Sequence, residues 1–152
     1  MRKHTVLTVF VLAFSLIIGI QLVTTQVRAN VIEADVDIHP DALLLKDDDY
    51  GKWITAIIRL PEGYQVNNID VSSVILRVTE EENVSWSWYN IQGKKLMVKF
   101  DRATVKNILR WHMIPHMFPQ VKEEVQLEVW GKLYDDNVFR GIDKIRVFFS
   151  QS

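Results

Sequence analysis

Three groupings in this chain have residue types that do chemistry. Asp47, Asp48 and Asp49 are consecutive, His112 and His116 stand four apart, and Asn83-Val84-Ser85 is a sequon for N-linked glycosylation in an exported chain. A calcium site needs about six to eight oxygens, drawn from alternating positions of a curved loop that includes glycine. Three adjacent aspartates point in different directions, and no glutamate lies at a loop-closing distance, so the run reads as a solvated turn. Two histidines four apart on a helix suit zinc, but Pro115 separates this pair and no third ligand is near. His112 and His116 are therefore assigned structural roles, and His39, before Pro40, belongs to a turn. None of these three histidines has a visible serine or cysteine partner for nucleophilic work. These residues specify no catalytic group, no metal site and no cofactor, and the expectation is a protein that is not an enzyme.

The aromatic residues offer binding rather than reaction. Trp86 and Trp88 alternate with Ser85, Ser87 and Tyr89, which on a strand places both indoles on one side. Buried, they are large core residues. Exposed, Trp86, Trp88 and Tyr89 make a platform for stacking on sugar rings or on another protein. Lys94, Lys95 and Lys99 are surrounded by acids and read as solvent-facing strand lysines, which discourage edge-to-edge pairing.

Positioning these groups falls to a segment that begins after a distinct leader. Arg2 and Lys3 open the chain, and residues 6–23 are apolar apart from Thr8, Ser15 and Gln21. Val27-Arg28-Ala29 then presents a cleavage site, the layout of a secretory signal peptide over residues 1–29. Left uncleaved, residues 6–23 are nearly long enough to anchor the protein across a bilayer core of about 30 Å. The leader carries Arg2, Lys3 and Arg28 and no carboxylate, so residues 30–152 hold 15 Lys and Arg against 19 Asp and Glu, a charge of −4. That balance gives no electrostatic reason to expect nucleic acid. The chain has no cysteine, and a domain of this size buries enough surface to fold without a disulfide.

Past residue 30 the hydrophobic period is two. Ala34, Val36 and Ile38 alternate with Asp35 and Asp37, and residues 53–60 are apolar on both faces, which predicts a central strand covered on both sides. Further strands are expected over 74–79, 84–89, 96–100, 124–134 and 142–149. Pro61-Glu62-Gly63 suits a type I turn, and Gln92-Gly93-Lys94 and Asp135-Asp136-Asn137 read as hairpin loops. One segment breaks the period. In DRATVKNILRWH, Asp101 is an N-cap ahead of Val105, Ile108, Leu109 and His112 at helical spacing, and the helix must stop before Pro115.

The stretches VDIHPDALLLK, GKWITAIIRLPEGYQVNNIDVSSVILRV, LMVKFDRATVKNIL and VQLEVWGKLYDDNVFRGIDKIRV resemble a module of secreted archaeal and bacterial proteins. Its pattern runs D-I-x-P-x-x-L-x-L-K, G-K-W-x-T, L-P-E-G-Y, I-D-x-S-x-V-x-L, L-M-V-K-F-D-R and G-x-L-x-D-x-x-F-x-G-x-D-x-I-R-V. The likeness covers residues 35–147. It implies an extracytoplasmic Ig-like β-sandwich without a characterised activity of its own. Relatives often carry an aspartate-rich loop before the L-M-V-K-F-D-R strand. Here residues 90–95 are Asn-Ile-Gln-Gly-Lys-Lys, so no calcium role carries over.

The expected architecture is all-β: an Ig-like two-sheet antiparallel sandwich of about seven or eight strands over residues 30–152. One short helix falls near 101–112, and the signal helix precedes the domain. The expected function is that of an exported, non-catalytic structural or binding module of the cell surface or extracellular space. Its partner is an unidentified protein or polysaccharide, and it meets a membrane only through residues 6–23 if the leader stays, as a single-pass protein with the domain outside. The alternative is a carbohydrate-binding module using Trp86, Trp88 and Tyr89.

Overall fold

A computed structural model describes residues 31–45, 51–113 and 122–148. The expected leader at residues 1–29, the aspartate run at 47–49 and His116 lie outside the described residues. Most of the described chain is strand: β1 (Val31–Glu33), β2 (Asp35–His39), β3 (Ala42–Leu44), β4 (Trp53–Arg59), β5 (Ile69–Arg77), β6 (Asn83–Gln92), β7 (Lys95–Asp101), β8 (Lys122–Leu133) and β9 (Val138–Phe148). One helix, α1 (Arg102–Met113), joins β7 to β8. The strands follow one path, β1-β9-β8-β5-β6-β7-β4-β2, with β3 also on β9. The path bends until β2 approaches β9, so the sheet is nearly barrel-shaped and encloses a single core.

Closure is the work of residues 31–45. β1 pairs parallel with β9, from Val31 opposite Val138 to Glu33 opposite Arg140. The chain then crosses to β4, where β2 pairs antiparallel, and β3 returns to run parallel beside residues 146–148 of β9. Where the chain has left the β9 ladder for β4, the Asp143 carboxylate accepts the Ile38 N–H at 2.7 Å. A buried donor is thereby satisfied that no strand reaches. Gly141 makes the crossing possible: a Cβ there would lie 2.8 Å from the Val36 Cβ and 2.9 Å from the Ala34 carbonyl oxygen. The parallel pairs β1–β9 and β3–β9 depart from the expected purely antiparallel arrangement. β3 had no signature, because three consecutive apolar residues show no period.

The interior follows the alternation. Ile54, Ala56 and Ile58 of β4, Leu96, Val98 and Phe100 of β7, and Leu127 and Val129 of β8 are fully buried. β4 is internal, between β2 and β7, as its composition suggested. It is buried on one face only: Trp53, Thr55 and Ile57 stay half-buried, with the Lys52 ammonium over the Trp53 ring at 4.9 Å. No second layer covers that face among the described residues.

α1 begins where expected. The Asp101 carboxylate accepts from the Thr104 N–H at 2.9 Å and from its hydroxyl at 2.7 Å, which is N-cap geometry. These bonds hold its carboxyl below the ordinary range. Val105 and Leu109, one turn apart, enter the core. His112 does not: it is exposed and lies 2.9 Å from the Glu82 carboxylate. At the first turn, the Tyr64 N–H donates to the Pro61 carbonyl at 3.1 Å and Gly63 has φ 93°, so the turn is type II rather than type I. Pro61 occupies its first position, where it presets neither central dihedral, and the glycine decides the type.

The crossing predicts a specific intolerance. Gly141→Ala should destabilise the protein by about 1–3 kcal/mol, the cost of forcing atoms into a packed contact. The check is a chemical denaturation midpoint, and a variant as stable as the parent would contradict the close approach of β2 to β9.

Candidate functional site

β6 is where the sheet changes partners. Residues 83–85 pair with β5, from Arg77 opposite Asn83 to Ile75 opposite Ser85. Residues 86–92 pair with β7. Among the described residues, nothing pairs with the other edge of that second half. β5 has turned away because it carries a bulge: Asp70 and Ile75 are five apart but face Lys132 and Trp130, two apart on β8. The excess loop is tied internally. Asp70 accepts from the Ser72 hydroxyl at 2.6 Å, while the Ser73 hydroxyl donates to the Asp70 carbonyl and accepts the Lys132 N–H at 2.8 Å.

A second irregularity decides the aromatic residues. Trp86 faces Phe100 and Trp88 faces Lys99, so Ser87 is an extra residue on β6. One inserted residue reverses the faces beyond it. Trp86 packs half-buried against the core, whereas Trp88 is 43% exposed on the outer face. The two indoles therefore do not share one side, contrary to the simple alternation. Tyr89, 44% exposed, lies on the side of Trp86 and meets its ring edge-on at a centroid distance of 5.4 Å. Lys99 places its ammonium 4.6 Å from the centre of the Trp88 ring. Trp88 and Tyr89 thus stand on opposite faces of an open strand, and a flat two-indole platform does not form.

At the far end of β6 a cleft of about 680 Å³ opens between the β6–β7 turn and the loop from Leu60 to Asn67, with Tyr64, Gln65 and Lys94 among its walls. Asn83 opens β6, exposed, beside the acidic turn of Glu80, Glu81 and Glu82. His39 is exposed between Asp37 and Asp41, at 3.3 and 3.1 Å. Among the described residues, no three histidine or acidic side chains converge to hold a metal ion. No described helix is long and apolar enough to cross a membrane.

One cluster had no sequence signal. On the outer face of β5, β8 and β9, Glu128 accepts from Arg140 Nη2 at 2.6 Å, from the Trp130 indole N–H at 2.9 Å and from Gln126 at 3.3 Å, and Arg77 lies 3.6 Å away. The Arg77 and Arg140 guanidiniums also sit over the Trp130 ring at 4.8 and 5.4 Å. Arg77 faces Glu128 and Arg140 faces Trp130 across the ladders, which only strand register reveals. With its N–H bonded and two guanidiniums over its ring, Trp130 is engaged in tying three strands together. A comparison of the chain with models of known families and with curated proteins finds no match to either.

Hydrogen bonding from Arg140, opposed in part by burial, holds the Glu128 carboxyl below its ordinary value of 4.5. The folded state therefore binds this proton more weakly than the unfolded chain. Its stabilisation is complete above that value and fades as the pH falls below it. Glu128→Ala should cost about 1–3 kcal/mol at neutral pH by leaving bonded donors unsatisfied. It should also flatten the acid side of the stability curve. Denaturation midpoints measured from neutral pH down to pH 3 check both (roughly the span of carboxyl titration).

Proposed function

We propose that this protein is an exported, non-catalytic Ig-like module that acts by presenting its surface to another macromolecule. The observation that carries the reading is the open edge of β6, where Trp88 and Tyr89 stand exposed beside a filled core. Unpaired backbone groups on a strand edge are a template for another strand, and exposed aromatics are the side chains most often found at interface centres. Nothing in such a surface requires reactive groups.

The Ig-like reading draws support from strand order. An immunoglobulin-type sandwich sets strands A, B, E and D in one layer and C, F and G in the other. β2, β4, β7 and the second half of β6 follow the first order, and β5, β8 and β9 follow the second. Sharing β6 and the segment 31–45 between layers accounts for the barrel-like closure. Export rests on the basic start, the apolar stretch 6–23 and Ala29.

Carbohydrate binding is the weaker reading, since Trp86 faces inward and one approach to Trp88 is shared with Lys99. Two measurements separate these ideas. Expressed in a secreting host, the protein should be recovered outside the cytoplasm with Asn30 as its first residue, or displayed outside a membrane with the leader intact. Recovery of the full-length chain in the cytoplasm would refute export. Retention on insoluble polysaccharide should be equal for the parent and Trp88→Ala, and a loss on substitution would favour sugar binding instead.

A further inference from the structure

We infer that the open edge of β6 is the contact surface between two copies of this chain, paired antiparallel about a two-fold axis near Tyr89. Among the described residues the free stretch runs from Trp86 to Gln92, and Tyr89 is its midpoint. Exposed edges are normally guarded by lysine, proline or another charge. β6, NVSWSWYNIQ, carries none of these and has only the Ser87 bulge, the milder guard, whereas every other described strand longer than three residues contains a charged side chain. The lysines that the composition suggests as guards lie elsewhere: Lys95 and Lys99 belong to β7, which is internal between β6 and β4.

What lies at the two ends of β6 selects the occupant. Glu80, Glu81 and Glu82 precede it, all exposed, and Lys94 and Lys95 follow it, also exposed. Glu82 faces His112 at one end of the strand. Two β6 strands brought together in parallel would set acid against acid and lysine against lysine. Brought together antiparallel, the acidic end of each strand lies toward the partner's lysine end, past residues 83–85 that β5 covers, and an uncharged centre meets itself. A two-fold contact of this kind is self-complementary and closed, so it ends at a dimer. The outcome is a continuous sheet of β2-β4-β7-β6 from each copy, with Trp88 on its outer face and Tyr89 on its inner one.

This inference rests on reading the β6 edge as a binding surface, but its test reads assembly alone, so export can hold while the dimer fails. The full chain is expressed with its leader in a secreting host, and the recovered protein is measured by sedimentation. The parent should be a dimer. Asn90→Lys, which sets like charges together near the axis, should weaken association by roughly tenfold or more while the folded state persists by circular dichroism. Mixing it with Asn90→Glu should restore dimers. The native chain has no cysteine, so an introduced one reports position. Across an antiparallel pair the Cα atoms lie about 4.5–5.5 Å apart, within the span a disulfide bridges. Mild oxidation should link Tyr89→Cys to itself, and should leave Tyr134→Cys, 74% exposed at the β8–β9 turn, as monomer chains. A monomeric parent, a dimer indifferent to charge at position 90, or equal cross-linking at 89 and 134 would each overturn the proposal.

Discussion

Residues 31–45 hold this structure closed, because a single short segment pairs with both halves of the sheet. β1 lies on β9, β2 on β4 and β3 on β9 again. At the end of the segment the Leu45 N–H donates to the Phe148 carbonyl at 2.9 Å, and the Leu45 carbonyl accepts from Arg110 of α1 at 2.6 Å. Five of its side chains, Ile32, Val36, Ile38, Leu43 and Leu45, are in the core. Without them both β4 and β9 would be edges and the core would be open along its length. Each such residue contributes about 1.5–3 kcal/mol through burial, so the segment is integral to the domain.

The opposite side is arranged differently. There β6 serves both halves of the sheet and then runs on with one edge unpaired among the described residues, while the bulge of β5 draws that strand toward β8. Ser87 reverses the strand's faces, so Trp86 reinforces the core and Trp88 leaves it. A bulge at an edge commonly re-aims a side chain. Here it separates a structural aromatic from an exposed one within three residues. The molecule is sealed on one side by a strand switch and left unsealed on the other, and that asymmetry directs the functional reading to β6.

Charge on the outer faces is organised to match. Glu128 neutralises part of the field of Arg77 and Arg140 and fixes their position over Trp130. Cation–aromatic contacts of this type contribute about 0.5–1 kcal/mol each at exposed sites. Carried across three adjacent strands, they tie β5, β8 and β9 together without adding apolar surface.

Much of the fold was legible along the chain, because period-two burial needs only local information. Alternation located β2, β4 and β5 to β9, and the Asp101 cap with Val105 and Leu109 located α1. Turn chemistry placed the hairpins but misassigned the Pro61 turn, where Gly63 prevailed. Alternation also failed at Trp86 and Trp88, because a bulge is a property of register between two strands and leaves no mark on one. The Glu128 cluster was invisible for the same reason: its arginines, Arg140 and Arg77, are 12 and 51 residues from Glu128 and meet it only through pairing. The sequence alone determined β2, β4 and β5 to β9, the helix start and the mild acidity of residues 30–152, all set by the chemistry of near neighbours. Tertiary structure decided the switch of residues 31–45, the face of each tryptophan and the open edge of β6, since each depends on which distant backbones hydrogen-bond.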